Sequence, residues 1–428
     1  MNVLLVGTGG VGTAIARIVR KHDPESRWLQ KMVLADYQEA AAKSLSQDLD
    51  QTERFPAVEL NARDQEALVR IAAAHQIDLV LNACDPTLNP SIFNACFQGG
   101  FHYMDLAMTL SQRHPDHPYS KAHIKLGDEQ YAAHEAWRQK GLTALVGSGA
   151  DPGMANVFAR YAEKHLFDEV EEVGVRDGGN LAVEGRRVSF GFSIWTTIEE
   201  CLNPPLIWEK DRGWYTTEPF AEPEIFHFPE GIGDVELVHV EHEEVSMLPR
   251  QLGKGVRKIT FKYGLGREFI QMLQYLQELN LDRKDLPVTI GDTTLSPRDF
   301  VARVAPNPAE QGSRMTGKTC VGTWVKGMKD GRTREVYLYQ ATDNQAAMAA
   351  IGSQAVVTQT AYPAVIMLEL LARRIWQGQG VCPPESFDPD PFVTAMSTYG
   401  FTGGMMEMES SFARHLQQQA LLQPLKQQ

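Results

Sequence analysis

Residues 7–12 read Gly7-Thr8-Gly9-Gly10-Val11-Gly12, directly after the apolar run Asn2–Val6 and before residues 13–21, where Ile15, Ile18 and Val19 recur at helical spacing. A glycine-rich turn between a strand and a helix admits few folds. The first glycine allows the tight turn, the second lets a pyrophosphate approach the backbone, and the third lets helix and strand pack closely; the phosphates then rest on free N–H groups at the helix N-terminus. The second apolar run, residues 32–35, ends at Asp36, about 24 residues past Gly12, the spacing expected of the acid that binds a ribose 2′-hydroxyl. Asp36 repels a 2′-phosphate, and its neighbours Ala35 and Tyr37 bring no cation. The expected cofactor is therefore NAD, with NADP possible if Arg63 approaches the adenosine end.

Further apolar runs at residues 57–60, 79–81 and 142–146 alternate with helix-like stretches such as 64–74, which implies parallel βαβ units. The pattern changes after Asp151-Pro152-Gly153. Residues 171–262 carry alternating strand-like segments such as 235–238 and 258–261, residues 263–281 read as a helix, and residues 287–303 as a short strand and helix. Residues 320–341 read as a hairpin turning at Lys329-Asp330-Gly331. Residues 344–376 are helix-compatible and apolar, with a kink expected at Pro363, and residues 415–428 read as a frayed helix. The expected fold is α/β: a Rossmann-type doubly wound parallel sheet over residues 1–150, a second α+β domain for substrate binding or dimerisation over 151–343 with an antiparallel or mixed sheet, and a C-terminal helical segment, 344–428, returning to the first domain.

With 428 residues, 43% hydrophobic and 22% charged, the chain can bury a large core without disulfides or a structural metal. Its net charge of −13 argues against nucleic acid and anionic membranes as partners. Five scattered cysteines, none in a CxxC, fit a reducing compartment rather than a disulfide framework or a zinc knuckle. The opening MNVLLVGTGG lacks a basic n-region, and no apolar run approaches the roughly 18 residues of a membrane span, so a soluble cytoplasmic protein is expected.

Asn82, Ala83 and Cys84 end the fourth strand at the edge where open α/β sheets bind ligands, and are expected to line the nicotinamide side of the cleft. Cys84 reads as a small packing residue more than as a nucleophile. Asp105, after a short strand-like stretch, is either a cleft residue or a cap.

Joined to the N-terminal fingerprint, Asp151-Pro152-Gly153-Met154-Ala155-Asn156 resembles the saccharopine dehydrogenase-like family. Gly317-Lys318-Thr319, Lys329-Asp330-Gly331 with Val336-Tyr337-Leu338-Tyr339, and Ser386-Phe387-Asp388-Pro389-Asp390-Pro391-Phe392 extend the resemblance over most of the chain. It implies a nicotinamide-dependent oxidoreductase that makes or oxidises a C–N bond, as saccharopine dehydrogenases, lysine 6-dehydrogenase and carboxynorspermidine dehydrogenase do. His242-Glu243-Glu244 and the C-terminal third look most like the carboxynorspermidine branch. That branch tends to carry a Ser-Arg pair suited to NADP where this chain has Asp36-Tyr37.

Such chemistry needs a hydride acceptor beside a carbon bearing nitrogen and a group that manages the amine proton. By resemblance Asp151 faces the nicotinamide cleft and handles that proton; read from the residues alone, Asp followed by Pro is also a helix N-cap. Arg176 ends a predicted strand and can present a guanidinium to a substrate carboxylate, or lie in a surface turn. His239 and His242 with Glu241, Glu243 and Glu244 form an acidic, imidazole-bearing strip suited to amino groups, with His242 and Glu243 taken as substrate-binding. Its HxxH is a weak metal signal, and no metal is expected. His114 and His117 fit a solvated loop, and Trp195 and Trp208 fit core more than pocket.

The leading expectation is oxidation of the C–N bond of an amino acid, with saccharopine as first substrate. Carboxynorspermidine or lysine are the alternatives, and a non-catalytic nicotinamide-binding regulatory protein is the reading from another class. The expected partner is a small amino-acid or polyamine-like substrate, and a homodimer is expected from the family and from the apolar residues 356–371.

Overall fold

In the computed structural model, which describes residues 1–408, the run before the glycines is β1 (Asn2–Val6), lying between β2 (Lys31–Asp36) and β4 (Leu79–Asn82) with both pairings parallel. With β3 (Ala57–Glu59), β5 (His102–Asp105) and β6 (Thr143–Leu145), the sheet runs 3-2-1-4-5-6, the doubly wound order. Residues 3–6 and 32–35 are buried because helices cover both faces, and this is why these strands read as continuous apolar runs rather than alternating ones. A seventh parallel strand, Gly380–Cys382, pairs with β6 and brings the C-terminal part of the chain back to the first sheet.

The register places the site. Val6 lies opposite Ala35 on one side and Asn82 on the other, so Gly7, Asp36 and Ala83 leave the sheet together at its C-terminal edge. There the chain enters helix α1 (Gly10–His22).

The second sheet has nine strands and is mixed. Its centre is β7 (Glu169–Gly179), parallel to Lys258–Tyr263 on one side and antiparallel to Lys318–Lys329 on the other. The strands Lys318–Lys329 and Arg332–Asp343 form the expected hairpin. Asp330 and Gly331 both take positive φ, 49° and 71°, at its two-residue turn, as the primed turns of tight hairpins require. Tyr263, read as helical, ends a strand instead, and the helix covers Arg267–Glu278.

Two expectations for the C-terminal third change. Gly404–Glu407 pairs with Arg332–Asp343 at the edge of the second sheet, so this third of the chain joins both sheets rather than only the first. Helix Ala355–Ala372 runs through Pro363 without interruption. At 18 residues and a mean hydropathy of 1.5 it is also long and apolar enough to cross a membrane, contrary to the reading of the sequence, but 72% of it is buried inside the protein. Its residues 355–371 are core: the helix packs on α1, where Val357 approaches Gly10 and Tyr362 meets the His22 ring edge-on. Residues 415–428 lie outside the described residues.

Candidate active site

The C-terminal edge of the first sheet and the second sheet enclose a cavity of about 290 Å³. One wall is the glycine turn. Gly9 caps α1 without any side-chain bond, so the first N–H groups of the helix face the cavity through Gly9, Gly10 and Val11. Gly7 has φ +98°, and a Cβ there would lie 2.9 Å from the Ala83 carbonyl oxygen; a Cβ on Gly12 would overlap the Gly7 carbonyl oxygen, while Gly9 has open space in front of it. This cradle fits a dinucleotide pyrophosphate.

Asp36 braces the same turn from β2. Its Oδ2 accepts the Thr8 N–H at 2.8 Å and the Thr8 hydroxyl at 2.9 Å, and its Oδ1 accepts the Gln38 N–H at 2.9 Å. Oδ1, with one bond, still has acceptor capacity for a ribose hydroxyl. Tyr37 beside it is 71% exposed, and Arg63 is exposed, with its backbone N–H on Asn61.

Of the residues at the end of β4, Ala83 and Cys84 line the cavity and Asn82 does not. Asn82 is buried and works behind the wall, accepting the Cys84 N–H at 3.0 Å and donating to Asn89 Oδ1 at 2.7 Å. The Cys84 thiol lies on the Val6 carbonyl, and burial, with Asp36 and Asp85 adding to it, pushes it up to about 12, so it is a packing residue rather than a nucleophile. Asp105, expected in the cleft, is instead buried behind it. Its carboxyl accepts the Gly147 N–H at 2.7 Å and the Gln130 amide at 2.6 Å, bracing the loop that follows β6.

Asp151 is on the cavity wall, as expected. It is not the cap of the following helix: Met154–Tyr161 begins from Gly153, whose N–H is taken by Asn156 Oδ1 at 2.9 Å. Freed from capping, the Asp151 carboxyl is hydrogen-bonded to that of Asp177, which stands on β7 across the cavity. Burial raises both above the usual carboxylate range; the Asp177 charge adds to the shift at Asp151, while His242 and the bond with Asp151 oppose it at Asp177, which is pushed up to about 7.

Arg176, placed by sequence at a substrate carboxylate, points the other way. Successive side chains of a strand alternate faces, and β7 is in register with Lys258–Tyr263, so Arg176 and Lys262 share one face while Asp177 and Tyr263 share the cavity face. Arg176 and Lys262 converge on Glu224, at 2.6 Å and 2.8 Å. The substrate-binding role of Arg176 is therefore replaced by an ion pair within the second domain.

His242 lies in the irregular segment after the strand Gly233–His239, with its ring stacked on Phe261 at 3.8 Å. Its Nδ1 meets Glu244 Oε2 at 2.5 Å and Glu243 Oε2 at 3.5 Å. Burial works against its charge, but Glu244, Glu243 and Glu200 outweigh burial and hold the imidazole protonated well above its usual range. Glu243 is not on the cavity wall; it is buried behind His242 and accepts the Met108 N–H. His239 is turned away, onto the Phe261 carbonyl and Glu222. Trp195 and Trp208 are not on the cavity wall either, and His114 and His117 sit on an irregular loop.

Sequence reasoning passed over Asp177, Glu200, Tyr263 and the hydroxyls of Ser193, Thr196 and Thr197. Glu200 is on the helix Ile194–Leu202 and faces His242. Burial pushes it up to about 8; His242 opposes the shift and Glu243, Glu241 and Glu244 add to it. Glu200, His242 and Glu243 each bring one ligand atom within 4.8 Å of the others, an arrangement fitted to a protonated amine or a metal ion. The signal that could have found Asp177 was the strand itself: once Arg176 is assigned to one face, Asp177 belongs to the other.

Among the described residues, the cavity wall carries the acids Asp85, Asp151, Asp177 and Glu200, one imidazole, and neither lysine nor arginine.

Comparison with known proteins accords with this geometry. The saccharopine dehydrogenase NADP-binding domain matches residues 3–145, and the saccharopine dehydrogenase C-terminal domain matches residues 149–401. The chain is 29% identical over 417 residues to carboxynorspermidine synthase of Vibrio alginolyticus, covering 96% of this chain and 98% of that one. It is 27% identical over 399 residues to carboxyaminopropylagmatine dehydrogenase of a Synechocystis species, covering 93% and 96%. Its fold matches apo saccharopine dehydrogenase (L-Glu forming) of Saccharomyces cerevisiae with a TM-score of 0.67 at 13% identity, over 95% of this chain and 100% of that one. The matched domains, the glycine cradle and the acid-lined cavity together make this a nicotinamide-dependent dehydrogenase acting on C–N bonds, and the chain belongs to the saccharopine dehydrogenase family.

Proposed function

We propose that the chain acts on the secondary amine of a carboxylated polyamine, of the kind named for its carboxynorspermidine and carboxyaminopropylagmatine relatives, and not on saccharopine. The observation that carries this reading is the wall of four carboxyl groups without a lysine or arginine. Saccharopine brings several carboxylates, for which the wall offers no cation besides His242, whereas a polyamine brings ammonium groups that draw these buried carboxyls into their charged form and pair with them.

When bound, the nicotinamide supplies or accepts the hydride. The protein's part is charge and proton control. Glu200, with Glu243 behind it, pairs the distal ammonium. The Asp151–Asp177 pair takes the proton from the secondary ammonium, which frees the nitrogen lone pair needed for hydride departure. Cationic His242 keeps that nitrogen from regaining a proton. A single substrate carboxylate is met by Ser193, whose oxygen accepts the Thr196 hydroxyl at 2.9 Å and keeps its own O–H to donate.

Asp36 supports NAD over NADP, against the name of the matched domain. Five free cysteines support a reducing, cytoplasmic setting, and the exposed apolar Tyr275, Leu279 and Val304 support a homodimer, which a size-exclusion mass checks. The test of the reaction is nicotinamide absorbance with carboxynorspermidine, carboxyaminopropylagmatine, saccharopine and lysine under both cofactors. Faster turnover of saccharopine than of either polyamine would overturn the proposal.

A further inference from the structure

Three donor groups that meet beside the cavity are left without a hydrogen bond. Glu243 is 3% exposed, and its Oε1 accepts the Met108 N–H at 3.1 Å; its Oε2 is buried with no hydrogen-bond partner, the His242 Nδ1 lying 3.5 Å away. His242 Nδ1 is held by Glu244 Oε2 at 2.5 Å, and among the described residues nothing bonds the Nε2 of this ring, which lines the cavity. Among the same residues no hydrogen bond or ion pair holds the Glu200 carboxyl, which lines the cavity too. Each of the three residues brings one ligand atom within 4.8 Å of the other two.

Buried acceptors are nearly always satisfied, so Glu243 Oε2 points to a group supplied from outside. One imidazole and two carboxylates suit zinc, which takes three protein donors at about 2.0–2.2 Å and can keep a fourth position open. Donors on such an ion lie about 3.4 Å apart, so side-chain rotation from the present 4.8 Å closes the set. Magnesium and calcium require six or more oxygens and find two carboxylates here. The surroundings also suit a bound ion. Glu244 on Nδ1 is the carboxylate that a metal-bound imidazole carries on its other nitrogen, and Phe261, stacked on the ring at 3.8 Å, fixes the ring plane. The donors come from the helix Ile194–Leu202 and the segment after Gly233–His239, and not from the HxxH of the sequence, because His239 is turned onto the Phe261 carbonyl and Glu222.

We propose that Glu200, His242 and Glu243 form a zinc site that opens on the cavity, and that zinc bound there excludes the substrate amine. The ion takes His242 Nε2 and one oxygen of each carboxylate. It replaces the proton on Nε2 and leaves the Nδ1–H on Glu244. Once bound, it occupies the acids that pair the distal ammonium. The glycine cradle, whose donors are backbone N–H groups, keeps its affinity for the cofactor. The exclusion rests on the reading of Glu200 as the ammonium site, whereas the ion site rests on the donor geometry.

The test adds cobalt(II), a spectroscopic substitute for zinc, to the cofactor-free protein. One ion per chain is expected, displaced by zinc, with the visible bands of four- or five-coordinate cobalt and no near-ultraviolet thiolate band. Glu243→Gln is expected to weaken it about tenfold or more, and so is Glu200→Gln, which serves alone if Glu243→Gln does not fold. Carboxynorspermidine is expected to displace the cobalt, and zinc to raise KM for the amine at unchanged kcat and cofactor affinity. A thiolate band, purely octahedral cobalt, or wild-type affinity in the folded variants would overturn the ion site and leave the functional reading intact. Cobalt that stays bound under saturating carboxynorspermidine would overturn the exclusion. Protein that binds cobalt as expected but turns over no amine would overturn the functional reading and the exclusion, with the ion site standing.

Discussion

Arg176 and Asp177 are adjacent in the chain and leave β7 on opposite faces: Arg176 Nε meets Glu224 Oε1 at 2.6 Å within the second domain, while Asp177 opens on the cavity beside Asp151. One residue therefore maintains the domain and the next belongs to the site. Replacing Arg176 with Met leaves Glu224 short of a partner in a mostly buried position, and a loss of about 3 kcal/mol is expected. Urea denaturation measures it. KM for the amine in the folded variant is expected to stay within about twofold, and a KM raised tenfold or more would put Arg176 back at the substrate.

The Asp151–Asp177 pair separates chemistry from cofactor binding. Asp151→Asn and Asp177→Asn are each expected to lower kcat by about 10²-fold or more, the range for loss of a positioned proton carrier. Nicotinamide affinity, read by fluorescence, is expected to hold. A variant with unchanged kcat would remove that residue from proton handling.

Asp36 sets a charge where a 2′-phosphate would lie. Asp36→Ser is expected to weaken NAD about tenfold and to improve NADP, since it removes both a ribose acceptor and a repulsion. Because Asp36 also holds Thr8, a fall in melting temperature is expected with it. Equal affinity of the wild-type protein for the two cofactors would contradict the assignment.

Stability is expected to fall as pH rises from about 5 to 8. The cause is the set of buried acids, Asp177 at about 7, Glu200 at about 8, and Glu241 and Asp105 at about 7, all raised chiefly by burial. In this window the native state holds protons that the unfolded chain, with carboxyls near 4, has given up. Rising pH therefore favours unfolding, by up to about 1.4 kcal/mol per pH unit for each group titrating. Glu224 has the opposite sign, since Arg176 and Lys262 outweigh its burial and hold it to about 2, but it is ionised in both states here and adds no slope. Melting temperatures across the window test this, and Glu200→Gln is expected to flatten the curve. A melting temperature that climbs over the same range would contradict the burial of these acids.

The sequence by itself determined the first domain. Its strand, glycine turn, helix and acid are local features: Gly7, Gly12 and Asp36 act through backbone conformation and contacts within one βαβ unit, so their spacing carries their roles. The hairpin turn at Asp330-Gly331 was legible for the same reason. What only the tertiary structure decided is which side chains meet across elements. Asp105 and Asn82 lie at the ends of the right strands but turn behind the wall, and Arg176, expected at the substrate, turns away while Asp177, passed over in the sequence, faces the cavity. Glu200 carries no sequence signal, because nothing local distinguishes a buried acid from a solvated one. Its chemistry comes from burial and from the charges of His242, Glu243, Glu241 and Glu244, and both arise only when its helix packs against the loop that carries His242.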